Sequence, residues 1–126
     1  MKRFFLALAL LAFCFSVAFF GFRRLEKSSF LLIEKLETAG NLITCGETLR
    51  AEASLEEVEA SWKNERVFFG VFLDHTTLDT LDSSLPAIFE ILKSGNEESA
   101  FEEIQKSIAV LEDIVEEQKI SLGNIL

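Results

Sequence analysis

Residues 4–22 read FFLALALLAFCFSVAFFGF, nineteen in a row without a charge. As a helix rising about 1.5 Å per residue they extend roughly 28 Å, close to the bilayer's hydrocarbon thickness of about 30 Å. Lys2 and Arg3 close one end and Arg23 and Arg24 the other, and such cations reach the headgroups on long apolar stems. The stretch divides the chain. Residues 1–24 are expected to form an N-terminal membrane anchor with a transmembrane helix over 4–22, contacting the lipid bilayer, and residues 25–126 an acidic helical domain.

A secretory signal has a similar grammar, a basic start followed by an apolar run. Ser16-Val17-Ala18 offers small residues to a signal peptidase, yet the run continues through Phe19, Phe20 and Phe22, which favours an uncleaved signal anchor. A lipoprotein signal needs a small residue before the modified cysteine, and the bulky Phe13 precedes Cys14. Basic residues flank both ends, with Lys27 and Lys35 on the downstream side, so charge counting leaves the orientation close to a tie. A three-residue tail is most simply left in the cytoplasm, which puts the domain on the extracytoplasmic side of the cell membrane.

All 21 Asp and Glu lie after Arg24, together with eight of the 12 Lys and Arg, so this part of the chain carries 8 − 21 = −13 charges. Phosphate binding needs a basic stripe, so an acidic surface of this kind is expected to repel anionic lipid headgroups and excludes nucleic acid as a partner. About a hundred residues are enough for one small core.

Beyond Arg24 the chain has one proline, no tyrosine and no Asn-Gly or Asp-Gly turn, while Leu, Glu, Ala and Lys abound, and helix is expected throughout. Leu32, Leu36, Ala39 and Ile43 step by four, three and four, one stripe on a helix that runs on from the apolar segment. Gly40 and Gly46 weaken its end, and Ala51 to Ser54 reads as a turn. Ser54-Leu55-Glu56-Glu57 resembles a capping box, so the next helix is expected to begin there.

Its apolar positions, Leu55, Val58, Trp62, Phe69 and Phe72 with Phe68 and Val71 beside them, continue in period through His75, Leu78, Leu85, Phe89 and Leu92. The spacing predicts one long helix over 55–93, kinked near Asp82 or broken at Ser83 or Ser84 by Pro86. Ser94-Gly95-Asn96 should end it, with Gly95 in the left-handed closing position and Asn96 capping the next helix. Phe101, Ile104, Ile108, Leu111 and Val115 then form a seam with glutamates on the other faces. The expected fold is all-α: a single N-terminal transmembrane helix followed by a small three- or four-helix antiparallel bundle.

His75 is the one histidine, with Asp79 a helical turn along and Asp82 a turn beyond. Such a face can ligate a metal or arrange a proton transfer, but a catalytic zinc site requires three good protein donors. The plainer reading is a structural His at the core edge. No activated nucleophile, glycine-rich phosphate loop or paired-cysteine motif occurs, so no catalytic residue and no cofactor are expected, and the chain reads as non-enzymatic. Trp62, Phe68, Phe69 and Phe72 can serve as a protein-binding surface, since aromatics dominate interface hot spots, or as the core of the bundle, which their helical spacing favours. Cys14 and Cys45 occupy different environments and are not expected to pair; Cys45 reads as a small buried apolar residue or as a thiol pairing between chains.

The apolar segment followed by Trp62, the Asp74-His75 pair opening a leucine-spaced helix, and the terminal Ser121-Leu122-Gly123-Asn124-Ile125-Leu126 together resemble a family of uncharacterised small proteins from Gram-positive, often spore-forming, bacteria. The resemblance implies an anchored helical protein, and no reaction or cofactor comes with it. The expectation is an anchored accessory protein whose bundle binds another membrane or envelope protein. The alternatives are a metal-responsive domain using His75, Asp79 and Asp82, and a homo-oligomer formed through the membrane helix or the last helix.

Overall fold

The computed structural model describes residues 1–125, and 121, 122, 124 and 125 by their backbone alone. The side-chain pattern of the terminal Ser121–Leu126 motif therefore falls outside the described residues. Four helices follow one another: α1 (Lys2–Thr44), α2 (Thr48–Phe72), α3 (His75–Lys93) and α4 (Glu97–Ile125). No strand occurs among the described residues, as expected for an all-α chain. Each helix packs on its neighbours in sequence and α4 closes the ring against α1, an up-down-up-down bundle with short connections.

α1 is one continuous helix of 43 residues, and it has the length and apolarity to cross a membrane. No part of its apolar window is buried against the rest of the protein. Burial begins at Leu25 and continues through Leu32, Ile33, Leu36, Ala39 and Ile43, the stripe expected from spacing with Ile33 beside it. The core is completed by Leu55, Val58, Trp62 and Phe69 of α2, Leu78, Leu81, Leu85, Ile88 and Leu92 of α3, and Ile104, Ile108, Leu111 and Ile114 of α4.

Two connections use the same closing device. At the end of α1 the Gly46 amide donates to the Ile43 carbonyl and Glu47 to Leu42, with Gly46 at φ +80°. At the end of α3 the Gly95 amide donates to Leu92 and Asn96 to Ile91, with Gly95 at φ +90°. Glycine takes this left-handed conformation without the strain a Cβ would add. The Asn96 side chain then accepts from the Ser99 amide at 3.2 Å and starts α4, as expected.

Two expected boundaries are corrected. Ala51–Ser54 is not a turn: α2 begins at Thr48, and Ala51 is fully buried in the core. Glu47 precedes the helix without a side-chain cap, so the true start follows Gly46 with no capping residue of its own, while the Ser54 pattern imitates one. The expected break near Asp82–Ser84 also moves. It lies at Leu73 and Asp74, both extended, where the Leu73 amide closes α2 on Phe69 and Asp74 Oδ1 accepts from the Thr77 amide at 3.0 Å. The Asp74-His75 pair of the family resemblance does open a helix.

Pro86 lies inside α3, which continues through it. A proline in a helix interior costs about 3 kcal/mol. Leu81, Leu85, Ile88 and Leu92 are each essentially inaccessible, and burying such side chains is worth about 1.5–3 kcal/mol apiece. Packing outweighs the local cost.

Candidate interaction surface

The C-terminal end of α2 lies alongside α1 where its apolar stretch finishes. A Cβ on Gly21 would stand 2.7 Å from Phe72 Cζ, so the Phe72 ring occupies the space that the missing side chain leaves. One turn further, the Arg24 guanidinium sits 4.2 Å from the centre of the Phe68 ring and 3.5 Å from Glu65 Oε2. Ser28 Oγ donates to the same carboxylate oxygen at 3.4 Å. Cation–π contact and ion pair together hold the two helices in register at this level.

Of the four aromatics expected either to bind a partner or to fill the core, Trp62 and Phe69 are core residues, 3% and 0% exposed, with ring centres 5.3 Å apart. A partner cannot reach them in this fold. Phe68 and Phe72 are half-buried at the α1–α2 corner, their centres 5.2 Å apart. Beside them Val67 and Val71, one turn apart on α2, are 79% and 76% exposed. A second exposed apolar patch lies on α1, where Phe30 and Leu31 are flanked by Arg23, Glu26, Lys27 and Glu34.

The indole N–H of Trp62 donates to Asp82 Oδ1 at 2.7 Å, and Arg66 binds the same carboxylate, with Nε at 2.9 Å from Oδ1 and Nη2 at 2.7 Å from Oδ2. Trp62 and Arg66 are four apart on α2, so one turn of that helix addresses one side chain of α3. The Arg66 guanidinium, followed by the indole N–H, holds the Asp82 carboxyl below the usual carboxylate range against the opposing effect of its partial burial. Asp82 in turn raises Arg66. Hydrogen bonding from Thr77 likewise lowers Asp74.

These contacts bear on the metal reading. Asp82 is committed to a structural tie between α2 and α3, while His75 and Asp79 are exposed. His75 therefore does not occupy the core-edge position that its place in the apolar period suggested: α3 starts at this residue, which is exposed, and burial begins at Leu78. No group of three His, Cys, Asp or Glu side chains is placed to hold a metal ion among the described residues.

Cys45 is exposed at the close of α1 instead of buried, and Cys14 is exposed on the apolar segment. The thirty-one residue steps from one to the other along a helix amount to about 46 Å, and both thiols are free.

Sequence spacing marked the core aromatics. It did not mark Phe30 and Leu31, nor the outward position of Val67, since an apolar residue beside a stripe looks the same whether it widens the buried face or lies beyond it.

The chain thus defines a class: an all-helical protein in which a long apolar helix continues into the first helix of a four-helix bundle. Residues 19–125 match the family described as domain of unknown function DUF4363, and the chain belongs to that family. No curated protein and no solved structure matches it.

Proposed function

We propose that the protein is a single-pass, membrane-anchored accessory protein whose bundle binds another membrane or envelope protein without performing a reaction of its own. The observation that carries this reading is the unbroken passage of α1 from an apolar, wholly unburied stretch into the bundle core at Leu25. Phe19 and Phe20, 48% and 72% exposed, would be left in water by cleavage after Ala18, and leaving large apolar surface wet is costly. A retained helix gives them a lipid environment instead. The N-terminus lies in the cytoplasm and the acidic bundle on the extracytoplasmic side, in the envelope of a Gram-positive, spore-forming bacterium.

The Phe30–Leu31 patch supports a protein partner. It is apolar at its centre, has charges of both signs around it, and borders α2 on its Leu31 side. Such an arrangement suits an interface with an apolar core and a polar rim.

The test is affinity capture of the full chain from solubilised membranes, with Leu31→Glu as a paired bait. A protein retained by the wild type and lost by the variant supports the reading. Identical recoveries from both baits, or no specific protein from either, would overturn it.

A further inference from the structure

We propose that the corner between α2 and α3 is a second, shallow membrane contact that seats the bundle directly on the lipid surface. This rests on the anchor reading above. Between Arg66 and Asp74 the chain runs Val67-Phe68-Phe69-Gly70-Val71-Phe72-Leu73, seven residues without a charge. Only Phe69 is fully consumed by the core; Val67 and Val71 face outward.

The level of this corner relative to the anchor is fixed by contact. Phe72 packs on Gly21, one residue inside the apolar run that ends at Phe22. With residues 4–22 across the bilayer, Phe72 and Val71 come level with the last turn of the span, where acyl chains give way to headgroups. Phe68 lies a turn further out, under the Arg24 guanidinium, and Arg23 and Arg24 mark the headgroup region.

The end of α4 agrees with this placement. Gly40 faces Phe101 and Ile104, and α4 runs antiparallel to α1. Sixteen residues beyond Ile104, about 24 Å along the helix, Ile120 reaches roughly the level of Arg24 and is 64% exposed. Val67 and Val71 of α2 and Ile120 of α4 thus lie at the end of the bundle that faces the bilayer, while Leu49 and Phe101 are exposed at the other end. At that other end Leu49 stands beside the charges of Glu47, Arg50 and Glu97.

Asp74 limits the depth. Its carboxylate caps α3 and is held in the charged form by Thr77, and a charge is expensive to carry into hydrocarbon. The corner consequently lies in the interface with the outward Val71 and the half-buried Phe72 at the acyl boundary, as interfacial apolar faces do. A contact of this kind restricts the tilt of the bundle about the anchor and turns the Phe30–Leu31 patch of α1 sideways, along the membrane, toward a membrane-embedded partner.

The experiment uses the full chain in vesicles of phosphatidylcholine and phosphatidylglycerol, with Cys14→Ala and Cys45→Ser removing the native thiols. An environment-sensitive fluorophore is attached in turn to Val71→Cys, to Leu49→Cys at the far end, 81% exposed, and to Phe13→Cys in the anchor. The expected result is blue-shifted emission and quenching by nitroxide-bearing lipid at positions 71 and 13, with an aqueous spectrum at 49. A label at 71 as aqueous as that at 49, with 13 still quenched, would overturn the seating and leave the anchor intact. An unquenched label at 13 would remove the anchor and the seating together.

A second arm places the label on Val67→Cys and adds Val71→Asp, which alters an exposed side chain. Loss of quenching at 67 is expected, and its persistence would overturn the proposal. Shielding of position 71 that occurs in native membranes and not in pure lipid would assign the corner to a protein and also overturn it.

Discussion

Gly21 and Phe72 form a close helix-to-ring contact: a Cβ at 21 would fall 2.7 Å from Cζ. The glycine is set near the end of an apolar helix, and it is the point where the folded-back chain meets that helix. Enlarging it should act on the corner. Gly21→Ala gains helix propensity of about 1 kcal/mol and displaces only the far end of a ring, so the two effects offset one another. Gly21→Leu overfills the contact and is expected to lower stability by about 1–3 kcal/mol. Thermal unfolding followed by the fluorescence of Trp62 in detergent checks both, and equal stability of wild type and Gly21→Leu would contradict the contact.

Asp82 should matter through its partner in the core. Replacing it with alanine strands the Trp62 indole N–H, which has 3% exposure and donates at 2.7 Å. An orphaned buried donor costs about 1–3 kcal/mol. The Asp82→Ala variant is expected to melt lower by that amount with altered emission from the single tryptophan. Asp82→Asn, which keeps an acceptor for the indole, should retain part of the loss.

Acid should weaken the bundle with a definite sign. Asp82 and Asp74 both have carboxyls held below their ordinary range in the folded protein. Their contribution is fully present above the unfolded-state value of about 3.9 and is lost as pH falls from there through the folded-state values. Stability should therefore not change on their account between pH 7 and about pH 5, and should fall below about pH 4. Asp82→Asn lowers stability at neutral pH and flattens the acid slope. Chemical denaturation at a series of pH values reads the slope, and an unaltered one in the variant would refute the assignment.

Ser29 and Ser107 are buried to 0% and 1% exposure, and neither hydroxyl has a hydrogen-bond partner among the described residues. Burial of an unsatisfied hydroxyl is unfavourable by about 1–3 kcal/mol. Alanine at either site removes that polar atom and leaves only a small void, so Ser29→Ala and Ser107→Ala are each expected to raise stability by roughly 1 kcal/mol. A lower denaturation midpoint in both variants would show that the hydroxyls are satisfied in solution.

The apolar helix and the stripes of the first and last bundle helices were legible before any tertiary structure. Leu32, Leu36, Ala39 and Ile43 are buried as their spacing required, as are Ile104, Ile108, Leu111 and Val115, whereas Phe101, the first of the expected seam, stays exposed near the start of α4. So was the turn at Gly95 and Asn96. The interaction residues were legible only in part, because helical spacing separates an apolar face from a polar one and does not say how much of a wide apolar face the core will use. Trp62 and Phe69 went into the core, Phe68 and Phe72 to its edge, and Val67 and Val71 were left outside.

Local chemistry by itself determined that the chain is helical, that its acidic surface is separate from its apolar start, and where glycine ends a helix. Those properties depend on neighbours a few residues away: side-chain period, charge, and the left-handed conformation glycine tolerates. Tertiary structure decided where α2 turns into α3. Asp74 and Pro86 were both eligible to break the helix, and burial chose between them, since α3 loses more by interrupting Leu81, Leu85, Ile88 and Leu92 than by tolerating a proline. It also decided that Phe72 comes back to Gly21, fifty-one residues earlier. No local signal encodes that distance; the packing of the four helices sets it.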